Sequence, residues 1–385
     1  MNTRCHYHKL IKKNRCETIM KILLISNMYP SEQFPSYGVF VQNTEKILVQ
    51  HGIQVDKIVM QKETSKLSKL FSYASHYANV VLTGLTKNYD YLYVHYASHN
   101  ALPLLILKTL KKNVKIVTNV HGSDVVPEVP SQEKYQPRVN DLLHHSTKII
   151  TPSPYYKGLV EEKYKVHNPI YIFPSGGVNK DLFHPYADKS KAYQELNLDP
   201  TIRYLGCVSR IDVGKGWEYY LQAIAKAEQQ MPTSYKYLYV GSGKDEAAFK
   251  EMIKTLGLEE KVIHFPLLPQ SSLAYVYNAI EAFVFPTVRK GESLGLVGLE
   301  AMACGAPVIG SQIGGLKDYI IDGKNGLFFE PKNVDELASQ LQAFINLPED
   351  VKQQMSQQAL QTANRYTVDV IAEQLPTIFF DEVEK

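Results

Sequence analysis

Along the chain, short apolar runs alternate with longer stretches whose apolar positions recur every three or four residues. "KILLIS" (21–26) carries four successive aliphatic residues. That run is too short for a helix with one buried face and suits a strand covered on both sides. "VFVQNTEKILVQHG" (39–52) sets Phe40, Thr44, Ile47 and Leu48 on one helical face and ends at Gly52, a residue suited to follow a helix C-terminus. Strands are predicted again at "QVDKIVM", "YLYVH" (91–95), "VKIVTNV" (114–120), "KIIT" (148–151) and "IYIFP" (170–174), with helical stretches between them. Continuous apolar strands alternating with helices predict a parallel sheet with helices on both faces.

The alternation stops at "LFHPYADKSKAYQELNLDP" (182–200), whose polar residues and two prolines read as a linker. It resumes with "IRYLGCVS" (202–209), "YKYLYVG" (235–241), "KVIHF" (261–265), "AFVFP" (282–286), "PVIG" (307–310) and "GLFF" (326–329). The expected fold class is α/β: two doubly wound, parallel-sheet, Rossmann-like domains facing across a cleft. The divisions fall at 1–19, 20–185, 186–365 and 366–385. Ligands of open parallel sheets sit at the carboxyl ends of the strands, so the chemistry is expected in the cleft.

Composition narrows the class without deciding it. The chain has 385 residues, 44% apolar and 21% charged, with a formal net charge of +3. That balance is globular, and too mildly basic to argue for nucleic acid. No apolar run approaches the ~18 residues of a membrane span. Four cysteines form no CxxC pair, and Cys207 and Cys304 lie in apolar segments, which fits reduced thiols and a cytoplasmic setting. Residues 1–19 differ: Arg4, Lys9, Lys12, Lys13 and Arg15 precede any acid. They lack the apolar region of a signal peptide and read as a basic extension, with peripheral contact at the inner membrane face as an expectation. No spacing of Cys5, His6, His8 and Cys16 fits a structural zinc pattern, and no metal is expected.

The most informative stretch is "GESLGLVGLEAMACGAPVIG" (291–310). It follows a strand and a loop, has helical composition from about Leu294–Leu296, and leads into another strand. The first N–H groups of that helix have no internal partners and carry positive potential, and Gly295 permits close approach, so an anion such as phosphate fits there. Glu292 and Glu300 bracket this point. On an ideal helix they stand about 80° and roughly 12 Å apart. Carboxylates repel phosphate but accept from hydroxyls, so a ligand with hydroxyls on both sides of phosphates satisfies them: a nucleotide sugar. Arg210 and Lys215, in "SRIDVGKGW", supply two cations after another strand, enough for a diphosphate. The chain has no D-x-D motif, so these cations stand where a metal otherwise would. His121 and Gly122 follow the strand "VKIVTNV", and Gly38 closes the loop after the first strand, again on the cleft side. On the residues alone, ordinary alternatives stay open. Arg210 and Lys215 can be surface charges, Glu292 and Glu300 solvated helix groups, His121 a structural histidine and Gly38 a turn.

Together these residues resemble the glycosyltransferase family 4 enzymes, retaining transferases of the GT-B fold, from Met20 to about Lys385. The likeness is strongest over Gly291–Phe329 and is supported by "SRIDVGKG", "HGSD" and "PSGGVNKDLFHP" in the expected order. Two positions depart from the family: Leu267 stands where many relatives carry a glycine near the base, and Gly38 is single where some relatives have a Gly pair. The resemblance implies that Glu300 holds a ribose and Glu292 the donor sugar. The Gly295 and Leu296 amides, with Arg210 and Lys215, would hold the diphosphate, and His121 would contact the sugar from the other domain. It further implies a last helix crossing back onto the first domain. The implied activity is transfer of a hexose, with retention, from a nucleoside-diphosphate sugar (UDP-linked in the simplest case) to a glycan or polyprenyl-lipid-linked acceptor, without metal or other cofactor. A sugar-nucleotide epimerase and a non-catalytic nucleotide-sugar binder are the alternatives on the same fold. A dinucleotide enzyme fits less well, since no G-x-G-x-x-G follows the first strand.

Overall fold

Ile22 to Ile25 are all buried, so the first strand shows apolar side chains to helices on both of its faces. Most of the other strands share that character, the edge strands Gln54–Val59 and Ile170–Ile172 being more exposed, and the result is a pair of parallel sheets. The computed structural model describes residues 19–35, 37–174, 176–230 and 234–381. Most of the basic extension, residues 1–18, lies outside them. The first sheet contains β1 (Lys21–Ser26), β2 (Gln54–Val59), β3 (Tyr91–His95), β4 (Ile116–Asn119), β5 (Lys148–Thr151) and β6 (Ile170–Ile172), in the order β2-β1-β3-β4-β5-β6. The second contains β7 (Tyr204–Val208), β8 (Lys236–Val240), β9 (Val262–Phe265), β10 (Ala282–Phe285), β11 (Val308–Ser311) and β12 (Gly326–Phe329), in the order β12-β11-β10-β7-β8-β9.

These orders fix where a ligand can sit. In the first sheet the winding reverses between β1 and β3, and in the second between β7 and β10. At each reversal the loops leaving the carboxyl ends diverge to opposite faces and leave a crevice. The loops carrying Gly38 and His121, and those carrying Lys215 and Glu292, all leave these edges.

The sequence pattern and the structure differ in two details. The helix Val39–Gln50 buries Val41, Thr44 and Leu48, while Phe40 and Ile47 are only partly covered. Phe40 turns instead toward His121, with ring centroids 4.7 Å apart. The polar stretch read as a linker contains a short helix, Ser190–Glu195. Its Ala192 is buried with Leu196, Leu198 and Tyr204, so these residues belong to the packing of the second sheet.

The chain end ties the two halves together. Val178 N–H donates to Tyr366 O (2.8 Å) and Val368 N–H to Val178 O (3.0 Å). The helix Val368–Phe380 then packs Ile371, Leu375, Ile378 and Phe379 against Ile22, Leu24, Tyr91 and Tyr93 of the first sheet. Lys148, wholly buried at the start of β5, donates to Ile378 O (2.6 Å) and to Asp381 O. Its ammonium satisfies carbonyls that the helix end leaves unpaired. Lys148→Met keeps the length and removes those bonds. It should cost about 1.5–3 kcal/mol in urea unfolding. A change under about 0.5 kcal/mol, the size of an ordinary surface substitution, would show that the docking is carried by the apolar contacts alone.

Candidate active site

The loops after β7 and β10 meet because of one glycine. Gly216 has φ +80°, and a Cβ there would stand 1.7 Å from Pro286 O, so no other residue fits. The contact brings Lys215 beside the β10 loop. Lys215 Nζ pairs with Glu292 Oε2 at 3.1 Å, both side chains being only about one-seventh exposed (15% and 14%). Thr287 Oγ1 lies 3.3 Å from the same oxygen.

Glu292 is not on the helix that follows. The helix runs Leu296–Ala303 and begins at Gly295, whose φ of +74° turns the chain sharply. A Cβ at Gly295 would meet the Phe285 ring at 2.6 Å. The ideal-helix relation between Glu292 and Glu300 therefore does not hold: Glu292 sits in the preceding loop, where it can reach Lys215. Leu296 occupies the first helical position, and its N–H, like its neighbours', has no partner within the helix.

Glu300, on the second turn, is buried, and its Oε2 accepts from the Tyr277 hydroxyl at 3.2 Å. Burial pushes its carboxyl up to about 7, against the lowering effect of that hydroxyl. Arg210 lies further out. Its Nη1 is 2.8 Å from Asp212 Oδ2, and its side chain is about two-thirds exposed (66%).

Across the cleft, His121 follows β4. Asp124 Oδ1 accepts from the His121 and Gly122 amides (3.0 and 2.9 Å), which fixes the turn. His121 Nε2 lies 2.9 Å from Nδ1 of His95, the last residue of β3, with the ring centres 5.1 Å apart, and the His121 ring stacks with Tyr96 at 4.9 Å. Burial pushes His121 down to about 3 and His95 well below the usual imidazole range, so both rings are neutral near pH 7. His95 Nε2 is buried and has no partner among the described residues. An orphaned N–H costs more than an orphaned lone pair, so we assign the His95 proton to Nδ1, donated to His121 Nε2. That leaves Nδ1–H of His121 as a hydrogen-bond donor.

Gly38, φ +75°, is the N-cap of the helix Val39–Gln50 and lies against the Met28 and Tyr29 backbone. It reaches His121 only through Phe40. The two halves approach closely beside His121, where a Cβ on Gly122 would stand 3.1 Å from Gly291 O. There Arg289 Nε donates to Glu128 Oε1 at 2.8 Å, with Nη2 on Oε2, joining the domains. A second tie runs from Tyr155 N–H to the Asp318 carboxylate at 3.1 Å. A cavity of about 250 Å³ lies near this second tie, between Ser153, Pro174, Asp318 and Tyr366. None of the candidate residues lines it.

The structure thus brings Lys215, Glu292, Gly295 and Leu296 together, with Glu300 further along the helix and His121 across the seam. Arg210 and Gly38 stand at the edges. Sequence reading missed His95, Tyr277, Thr287 and the Glu128–Arg289 pair. Only His95 offered a signal, as a polar residue closing an apolar strand at its carboxyl end.

Glu300 gives a testable pH dependence. The folded protein holds this proton more tightly than the unfolded chain, whose carboxyl titrates near 4.5. Stability should therefore fall as pH rises from about 4.5 to about 7, by up to about 3 kcal/mol. Glu300→Gln should lack that fall and exceed the wild type above pH 7. A difference between the two proteins that is flat across this window in urea unfolding would contradict the assignment.

Comparison with known proteins agrees with this architecture. The family model for glycosyl transferases group 1 matches residues 188–362, and that for Glycosyltransferase Family 4 matches 39–177. A D-inositol 3-phosphate glycosyltransferase of Segniliparus rotundus is 30% identical over 52% of this chain and 44% of its own length. This chain thus spans less than half of that relative. An N-acetyl-alpha-D-glucosaminyl L-malate synthase of Bacillus anthracis is 26% identical over 77% of this chain and 75% of its own. Sucrose-phosphate synthase of Thermosynechococcus elongatus superposes with a TM-score of 0.76 at 22% identity, covering 94% of this chain and 98% of that one. Anabaena HepE, solved in complex with UDP, gives 0.74 at 20% identity, covering 94% and 100%. The two family matches cover both halves of the chain in order, and the folds agree: the chain belongs to glycosyltransferase family 4 and has the GT-B fold.

Proposed function

We propose that this chain moves a hexose from a nucleoside-diphosphate sugar to a hydroxyl of a glycan or lipid-linked acceptor, with retention and without metal. The observation that supports this best is the largely buried Lys215–Glu292 pair beside the open N-terminus of the helix Leu296–Ala303. A cation, free amides and a carboxylate at one sheet reversal suit a diphosphate flanked by hydroxyls. Analogy with Anabaena HepE, solved also with UDP-glucose, favours a UDP-linked donor.

In this reading Glu300 accepts from the ribose diol and Glu292 from hexose hydroxyls. The bond from the anomeric carbon to the diphosphate oxygen breaks as the bond to the acceptor oxygen forms. Negative charge grows on the leaving diphosphate, where Lys215, Arg210 and the Gly295 and Leu296 amides stabilise it. The acceptor proton passes to the departing phosphate, on the face from which it leaves. No carboxylate is assigned as a covalent nucleophile, because Glu292 is engaged by Lys215 and by sugar. His121, neutral, donates Nδ1–H to the sugar from the opposite domain. A basic N-terminal extension touching the membrane belongs to the same reading, and its residues 1–18 lie outside those described. No helix among the described residues is long and apolar enough to cross a membrane.

The test is transfer from labelled UDP-hexoses to acceptors in membrane extract, with the anomeric configuration of the product determined. Transfer with retention, undiminished by EDTA, is expected. Lys215→Ala should lose about 2–4 kcal/mol in kcat/KM. Arg210→Ala should lose less, because Arg210 must first leave Asp212. Loss on chelation restored by Mg²⁺, isomerised donor without transfer, or a wild-type Lys215→Ala would each overturn the reading.

A further inference from the structure

The helix Lys66–Thr86 has two apolar faces. One packs inward through His76, Val80 and Gly84, which are buried. On the other, Leu67, Phe71, Ala74, Ala78, Leu82 and Leu85 recur at intervals of three or four, and all are exposed. Leu70 lies beside them. Leu67 and Phe71 are 72% exposed and Leu70 66%, the most exposed large apolar side chains of the first half among the described residues. Such a stripe runs about 30 Å along a helix of 21 residues. Contiguous exposure on that scale marks a surface that is covered in use.

Charge identifies the cover. The helix contains no Asp or Glu. Lys62, Lys66 and Lys69 cluster at its beginning, and none of them is in an ion pair among the described residues. The nearest preceding acid, Glu63, is taken by the Ser68 and Ser72 hydroxyls. Lys62 instead lies over the Phe34 ring at 4.4 Å. An apolar stripe with lysines and no acids is the pattern of a helix lying in the plane of an anionic bilayer.

The helix is also well placed. Tyr73, two residues beyond Phe71, accepts from the Asn27 amide (3.3 Å) after β1 and stacks on His99 (5.4 Å) after β3. Both partners lie at the reversal point of the first sheet, on the cleft side.

We propose that the outer stripe of the helix Lys66–Thr86 docks on an anionic lipid surface and holds the cleft of the first domain against it. This deepens the reading above and rests on it only in taking the acceptor to be lipid-linked. The docking itself is testable apart from any turnover.

The experiment is co-sedimentation of the full chain with vesicles of phosphatidylcholine, alone or mixed with phosphatidylglycerol. The wild type should bind the mixed vesicles, less so as salt rises. Combined Leu67→Ser, Leu70→Ser and Phe71→Ser should lower that binding at least about tenfold. Combined Lys66→Gln and Lys69→Gln should lower it about 25-fold, about fivefold per charge. Phe71→Trp should show blue-shifted emission on mixed vesicles and keep its binding. Donor hydrolysis without vesicles should be unchanged in the triple serine variant, which separates a failed docking site from a failed transferase reading. Three results would overturn the proposal. One is wild-type binding by the serine variant. Another is a loss confined to Lys9→Gln, Lys12→Gln and Lys13→Gln in the N-terminal extension. The third is a serine variant whose mass in solution falls while vesicle binding persists, since a second copy would then be the partner.

Discussion

The candidate site depends on a single partly buried ion pair between two loops that leave neighbouring strands. Lys215 and Glu292 are 77 residues apart in sequence and 3.1 Å apart in space. Removing either partner would strand a charge in a site with little water to solvate it, at a cost of several kcal/mol. The pair also reconciles two demands that conflict in one pocket. An anion needs the cation and the free amides, whereas sugar hydroxyls need a carboxylate. Pairing keeps the carboxylate from repelling the anion and holds both groups in place before ligand arrives. Gly216 makes this contact possible through its approach to Pro286 O, and Gly295 through the turn that lifts Glu292 off the helix.

The other half supplies a rigid counter-face rather than a second set of charges. His121 is fixed by Asp124 through the backbone and by His95 through the ring. Its low pKa keeps it a neutral donor. The Glu128–Arg289 and Tyr155–Asp318 ties set how far apart the two faces stand. They are polar and partly exposed, so the domains can separate at modest cost, as a cleft that exchanges substrates requires.

Much of this was legible along the chain. Every strand overlaps a run singled out along the chain, with β11 passing its run by one residue to Ser311; most are apolar because parallel strands are covered on both faces, the edge strand β2 being the exception. The start of the helix was legible from its composition, near Leu294–Leu296, and falls at Leu296. What misled was carrying ideal-helix spacing from Glu300 back to Glu292, past the start of the helix. Its left-handed N-cap ends that geometry, and a left-handed glycine is hard to tell from a flexible one in sequence. The Lys215–Glu292, Glu300–Tyr277 and Glu128–Arg289 contacts join residues 77, 23 and 161 positions apart. No local pattern encodes such pairs. They follow from strand order, which the sequence leaves open. The outer face of Lys66–Thr86 is the reverse case: its apolar periodicity looks like an ordinary core stripe until the structure shows which side is buried.

The central claim is a division of labour between two carboxylates, Glu300 for the nucleoside and Glu292 for the sugar. Calorimetric titration of UDP into Glu292→Gln and Glu300→Gln, side by side with the wild type, tests it most directly. Glu300→Gln should weaken UDP by about 1.5–3 kcal/mol, the worth of a lost hydrogen bond to a charged group. Glu292→Gln should leave UDP affinity unchanged or slightly higher, because Lys215 is then released to the diphosphate. Equal effects in the two variants, or weaker UDP binding in Glu292→Gln alone, would contradict the account.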